Sequence, residues 1–178
     1  MKIILASSSP YRRKLLAPLI PNLECITPTI DESIKTDESA SEYVSRLSLE
    51  KAKAIVRPKQ KGLVIGSDQC AELDGKTITK PNHPDEAYMQ LTTASGQYVT
   101  FYTGLCLYNM AKDSYQLACE TYHVQFRTLS KEQIHAYLEK DQPYDCAGSV
   151  KAEGLGITLF ESMHGNDPNT LIGYPSLN

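Results

Sequence analysis

The sequence predicts a single mixed α/β domain spanning residues 1–178. Helical and strand-like patterns alternate from end to end, no repeat or linker-like gap separates them, and the chain opens on a strand that turns straight into a helix. Its 178 residues suffice for one good core and are few for two independent ones.

Lys2 to Ala6 is a compact apolar run that reads as a short buried strand. Ser9-Pro10 then opens a helix, with a serine cap and a proline at the first helical position, where a missing N–H costs nothing. Leu15, Leu16 and Leu19 are expected to form its apolar stripe. Pro18, Pro21 and Pro28 punctuate the exit, and Asp31-Glu32-Ser33 falls in the loop beyond. A second helix is predicted from about Ser41 to Val56, closed by Pro58. Leu63-Val-Ile65 is a buried-strand run leading into Gly66-Ser67-Asp68-Gln69. Asp74-Gly75 is a strong two-residue hairpin signal, which sets Leu73 opposite Lys76, Ala71 opposite Ile78 and Gln69 opposite Lys80. A third helix runs from about Asp85 to Thr93 and stops at Ser95-Gly96. Residues 97–108 and 115–127, rich in aromatic and branched side chains, read as an antiparallel pair joined through 111–114. Ser130 with Gln133 is a capping box that opens a fourth helix to about Lys140. Residues 147–175 are glycine-rich and strand-like, with a turn at Gly165-Asn-Asp-Pro168.

Charge and cysteine usage exclude several classes. The 18 basic and 21 acidic residues leave a net charge of −3. That argues against a general nucleic-acid coat and against an anionic membrane partner, so any positive charge that matters is local. Five cysteines at 25, 70, 106, 119 and 146 show no metal-ligand spacing and read as reduced thiols of a cytosolic protein. The apolar stretch Ile3 to Ala6 is too short for a signal sequence, and no run approaches the ~20 apolar residues of a membrane span. A soluble, cytoplasmic protein is expected.

Three features carry chemistry. The first is Ser7-Ser8-Ser9-Pro10-Tyr11-Arg12-Arg13, which places hydroxyls and guanidinium groups at a helix start. The helix dipole disfavours cations there by roughly 0.3–1 kcal/mol each, and a bound anion would reverse the sign. The competing reading is a surface helix whose arginines pair with nearby acids. The second is the hairpin, whose register sets Lys80 beside Asp68 across the ladder, as an active-site pair or a structural ion pair. The third is Lys51. At 100° per residue, Val44, Leu47, Ser48, Lys51 and Ile55 share one stripe about 80° wide, while Lys53 points away. A lysine on that core-facing stripe must snorkel out or meet an anion.

Taken together, the chain resembles the Maf nucleoside triphosphate pyrophosphatases. Ser7 to Arg13, Asp31-Glu32, Arg46 to Ala52, Gly66-Ser67-Asp68, Leu73 to Gly75 and Lys80-Pro81 occur in that family's order. So do Ser95-Gly96, Tyr102 to Gly104, Phe126-Arg127, Cys146 to Gly148, Glu153-Gly154 and Asn169 to Pro175. The resemblance implies an elongated mixed β-sheet flanked by helices, two lobes around a nucleotide cleft as in ITPase-like folds, and a homodimer. It implies hydrolysis of a nucleoside triphosphate to the monophosphate and pyrophosphate with Mg²⁺ or Mn²⁺. In the implied site Asp68 activates the attacking water, and Glu32 and Asp68 are the metal ligands. Ser7, Ser8, Arg12, Arg13, Lys51 and Lys80 hold the triphosphate. A carboxylate is a weak base at neutral pH, and a metal that acidifies the water makes it adequate.

Many family members acting on dTTP or UTP carry Ala-Asp-Thr where this chain has Ser67-Asp68-Gln69. The Gln69 form, with Cys146 to Ser149 and Glu153 to Ile157, is similar to the YceF branch, whose implied substrate is 7-methyl-GTP. Tyr11, Gln69 and Glu153 are then the implied specificity positions, with Tyr11 standing where the branch often carries tryptophan. A methylated guanine is cationic, so an aromatic face and a carboxylate both suit it. Two other readings stay open: a dTTP/UTP or broad noncanonical-NTP pyrophosphatase, and a nucleotide-binding regulator of cell division without turnover.

Overall fold

In the computed structural model, which describes residues 1–57 and 60–175, the opening strand β1 (Ile3–Ala6) pairs in parallel with β2 (Glu24–Ile26) on one side. On the other it pairs in parallel with β3 (Leu63–Leu73). No local pattern marks β2, a three-residue strand set among prolines and turns.

Between β1 and β2 lies α1 (Pro10–Leu16), capped as expected by Ser9, whose side chain accepts from the Arg12 N–H. It ends at Leu16, which is buried, whereas Leu19 is 77% exposed and contributes no stripe. With only seven residues, α1 places Arg13 and Lys14 in its last turn, where the dipole favours cations. The electrostatic conflict read from the sequence therefore disappears for these two and remains for Arg12, the third helical residue.

The long helix α2 (Ala40–Ala54) opens on a capping box between Ser39 and Glu42. Pro58, expected to close it, lies outside the described residues. The hairpin from β3 to β4 (Lys76–Ile78) has the register Leu73↔Lys76 and Ala71↔Ile78. Asp74 and Gly75 both take positive φ at its turn (51° and 72°). The remaining elements are α3 (Pro84–Ala94), β5 (Tyr98–Asn109), β6 (Ser114–Phe126), α4 (Lys131–Asp141), β7 (Phe160–Gly165) and α5 (Asn169–Ile172). The sheet order is β2-β1-β3-β5-β6-β7, with β4 on β3 and β7 antiparallel to β6.

The strand-like expectation for 147–175 holds only at β7. Ala147–Ser149 and Leu155–Leu159 form 3₁₀ turns instead, and the last residues make the short α5. Gly148 and Ser149 sit at φ 61° and 59°, a left-handed pair that cannot continue a ladder.

The chain divides into two compact units, and β3, β5 and β6 each run from one into the other. The first comprises residues 1–68, 103–120 and 173–178. Alternation along its strands sorts the core onto two faces. Ile4, Ala6, Val64, Cys106 and Tyr108 pack with Ala52 of α2 and with Ile55, which caps it, and Leu5, Ile65 and Leu105 pack with Leu16 and Tyr174. The second unit, 69–102 and 121–172, is built around Leu91, Phe101, Phe126 and Ile134. There Phe126 meets Phe160 edge-on at 5.1 Å. Among the described residues no helix is long and apolar enough to cross a membrane.

Glycine lets α2 lie against the sheet. A Cβ on Gly66 would stand 2.0 Å from the Ser48 carbonyl oxygen, and one on Gly104 would stand 2.4 Å from that of Val44. Backbone cannot yield as a side-chain tip does, so Gly104→Ala should destabilise by about 1–3 kcal/mol through overpacking. Urea unfolding checks this, and an unchanged midpoint would contradict the close approach.

Candidate active site

Lys51 is where two acids meet. It lies on the buried stripe of α2, 5% exposed, among Val44, Leu47 and Ser48, while Lys53 is exposed on the other side. The sequence left snorkelling and anion contact both open. In the structure Nζ donates to Asp68 Oδ1 at 2.5 Å and pairs with Glu32 Oε1 at 2.9 Å. Burying one ion costs several kcal/mol, and two carboxylates on one ammonium offset that cost.

The loop that brings Glu32 is stapled to α2. The buried Tyr43 hydroxyl donates to the Glu32 carbonyl at 2.9 Å, and Arg46 Nη2 donates to the Ser33 carbonyl at 3.0 Å. Asp31 Oδ1 accepts from the Ser33 amide, closing a local turn that holds the Asp31 carboxyl below its usual range. Arg46 is itself fixed by a two-point pairing with Glu38, at 2.5 and 2.7 Å. Tyr43, Arg46 and Glu38 were not singled out for a role from sequence. Their signal is helical spacing, since 43, 46, 47 and 51 all approach one side of α2.

Asp68 ends the first unit's part of β3. Its amide donates to Ser48 Oγ at 3.0 Å, while that hydroxyl donates to the Val44 carbonyl at 2.6 Å. A fully buried serine thus ties strand to helix beside the ion pair. Oδ1 of Asp68 is committed to Lys51, and Oδ2 has no hydrogen-bond partner among the described residues. One carboxylate oxygen is positioned and the other is available.

Arg12 is buried and belongs to the same electrostatic group. Burial lowers its guanidinium pKa, opposed by the charges of Asp68 and Glu32, and an arginine so placed stays protonated at neutral pH. Its Nε donates to the Gly173 carbonyl at 2.7 Å, and Ser67 Oγ donates to the same oxygen at 3.1 Å. Ser67 and Gly173 were missed as positioning groups, and no local pattern could have paired residues 106 apart in sequence. Arg13 is exposed and carries no ion pair among the described residues.

The opening serines differ from the cradle read in the sequence. Ser7 is buried and accepts from the Ser9 amide at 3.0 Å, whereas Ser8 is exposed. The amides of Ser9, Arg12 and Arg13 are already taken, by Ser7 Oγ, Ser9 Oγ and the Ser9 carbonyl. Side-chain charge rather than free helix-end amides is what this corner offers an anion. Tyr11 beside it is half-buried.

Gln69, Lys80 and Glu153 belong to the second unit. Gln69 Nε2 donates to the carbonyls of Thr170 and Leu171 at 2.7 and 3.2 Å, fastening α5. The expected Gln69–Lys80 ladder pair does not form, and with it goes the ladder argument for an Asp68–Lys80 pair. Pairing stops at Ala71↔Ile78, and the Thr79 carbonyl turns to accept from the Gly148 amide and Gln90 Nε2. Pro81 also biases Lys80 away from a regular continuation. The Lys80 side chain is exposed. The Glu153 carboxyl is pushed up by desolvation, with Asp145 and Asp141 adding to the effect and Lys151 opposing it.

Glu32 and Asp68 are hard oxygen donors converging on one cationic nitrogen, so a positive charge is already satisfied between them. That donor set fits Mg²⁺ or Mn²⁺, which use one or two carboxylates and complete their shell with water and substrate phosphate. Glu32 and Asp68 are a two-residue set, and among the described residues no group of three or more His, Cys, Asp or Glu gathers at any place.

The mixed sheet has a known counterpart. The Ham1 protein of Staphylococcus aureus shares the fold, at 16% identity and a TM-score of 0.50, over 72% of this chain and 73% of that one. The family description "Maf-like protein" matches residues 2–178, and the chain belongs to the Maf family. A relative from Pseudoalteromonas atlantica is 51% identical over 98% of this chain and 90% of its own length. One from Pseudomonas aeruginosa is 51% identical over 97% and 90%. Both are named 7-methyl-GTP pyrophosphatase.

Two outcomes follow from the site's scaffold. Arg12→Lys keeps the charge and loses the Nε bond to Gly173, so it should cost about 1–3 kcal/mol in urea unfolding. Arg46 depresses the Glu38 carboxyl, so the resulting stability is in place above about pH 4.5 and is lost as pH falls through the folded value. Glu38→Gln should flatten that acid limb in a pH series of melting temperatures, and an unaltered limb would contradict the pairing.

Proposed function

We propose that the protein hydrolyses 7-methyl-GTP to 7-methyl-GMP and pyrophosphate. The observation that carries the catalytic part is the split role of the Asp68 carboxylate, with Oδ1 held by Lys51 and Oδ2 without a hydrogen-bond partner among the described residues. A water on Oδ2 gives up its proton there as its oxygen attacks the α-phosphorus. The bond from that phosphorus to the bridging oxygen breaks, and pyrophosphate leaves. Phosphoryl transfer asks mainly for positioning and charge neutralisation.

The resting cluster of Lys51, Arg12, Asp68 and Glu32 holds as many positive as negative groups. A triphosphate therefore needs further cations, and in this proposal Arg13, Lys80 and a divalent metal on Glu32 and Asp68 provide them. When bound, that metal would neutralise phosphate charge and acidify the water. Ser7 and Ser8 complete the triphosphate contacts. Substrate choice is assigned to Tyr11, Gln69 and Glu153, supported by the names of relatives at 51% identity. As a carboxylate Glu153 accepts from a guanine edge and faces a cationic ring, whose charge would oppose the desolvation that pushes the carboxyl up. A cytoplasmic homodimer completes the proposal.

The test is a panel of nucleoside triphosphates with Mg²⁺ or Mn²⁺, scored by pyrophosphate release. 7-Methyl-GTP should lead, and chelation should abolish release. A preference for dTTP or UTP would contradict the substrate, and no release from any member would favour a binding regulator. Asp68→Asn should lower the rate by about 10²–10⁴-fold with far-UV circular dichroism unchanged. Near-normal turnover would remove Asp68 as the base.

A further inference from the structure

Phe126-Arg127 has no part in the catalytic proposal, yet Arg127 is held from three sides. Its amide donates to the Leu159 carbonyl at 2.9 Å, its carbonyl accepts from the Gly96 amide at 3.0 Å, and Nη1 donates to the Thr158 carbonyl at 3.0 Å. The two backbone bonds fix where the side chain starts and the Nη1 bond holds its head, so part of the freedom it would give up on binding a ligand is already lost. It stands at the mouth of a cavity of about 360 Å³ within the second unit, between α4 and the 155–159 turn. That volume lies in the range of small-molecule sites.

The lining has one chemical sense. Gln133, Ala136, Tyr137 and Lys140 present a single face of α4 at helical spacing. Ala136 leaves the gap that a larger residue there would fill. The apolar part of the lining is Leu129, Leu155, Leu159 and the ring of Tyr137, whose hydroxyl is used by the Ser149 carbonyl and the Lys151 amide, and Gln133 and Thr158 add neutral polar groups beside it. Leu155 stays 40% exposed at the opening, and its amide is fastened to Asp141 Oδ2 at 2.6 Å. Arg127 and Lys140 are the charged lining residues, no acid is among them, and Lys140 has no ion pair among the described residues. Two cations over an apolar floor match a molecule with an apolar ring and an anionic head.

We propose that this cavity binds a small amphipathic organic anion, an aromatic or similarly compact apolar body carrying a phosphate or carboxylate. The head lies between the Arg127 fork and Lys140, and the ring lies on Tyr137 and Leu155. The probe is phenyl phosphate, titrated into ¹⁵N-labelled full-length protein, with inorganic phosphate and benzyl alcohol as its two halves. Saturable shifts at Ala136, Leu155 and Thr158 are expected, with each half at least about tenfold weaker. Ala136→Phe should abolish them with both cations in place, and Arg127→Gln with Lys140→Gln should weaken binding by about tenfold or more with the cavity open. Shifts confined to residues 7–13 and 48–51 would overturn the proposal. So would binding that survives both variants, or binding no tighter than that of inorganic phosphate.

Discussion

The buried Lys51 ammonium is the constraint on which the rest of the first unit depends. A lysine in the core-facing stripe of a helix is unstable by several kcal/mol unless anions meet it, and here two do, from opposite directions in sequence. Asp68 arrives on β3 and Glu32 on a loop that precedes α2. The buried Asp68 carboxylate would be costly beside the core without the ammonium, whereas Glu32 keeps much of its contact with water. Removing Lys51 leaves Asp68 buried without its cation, and removing Asp68 leaves the ammonium to the exposed Glu32 alone, so the buried pair is the coupled part of the group.

That unit exists only because α2 lies unusually near the sheet. Gly66 and Gly104 remove the side chains that would hold the helix away, and Ser48 turns the contact into hydrogen bonds to Asp68 and Val44. The loop side is secured by Tyr43 and by Arg46 on Glu38. On the far side Arg12 reaches Gly173, joined by Ser67. The chemistry assigned to Asp68 is a consequence of this scaffold: one carboxylate oxygen is held, which aims the other. A solvated aspartate would have no such preference.

Local physics made much of this legible. The capping box at Ser130, the Asp74-Gly75 turn and the proline-led α1 all rest on interactions within a few residues, and all are present. Helical spacing was enough to turn Lys51 inward, but it could not name the anions. Ladder extrapolation failed at Lys80, because the strand ended where tertiary partners claimed the Thr79 carbonyl. It failed likewise across 147–175, where left-handed residues break the extended run that glycine content suggested. Phosphate binding by free helix-end amides was misread, because the serines that mark the motif satisfy those amides themselves. Ser67, Gly173 and the staple from Tyr43 to Glu32 depend on contacts between distant segments, which spacing does not encode.

A double-mutant cycle between Lys51→Met and Asp68→Asn, read by urea unfolding, addresses the central interaction directly. If one ammonium holds the site, Lys51→Met alone should cost about 3–5 kcal/mol, because it strands the buried Asp68 carboxylate. The double variant should then be more stable than the sum of the single losses predicts, by about 1–3 kcal/mol. Losses that add to within about 0.5 kcal/mol would mean that Lys51 and Asp68 are neighbours without being coupled, and the account would not stand.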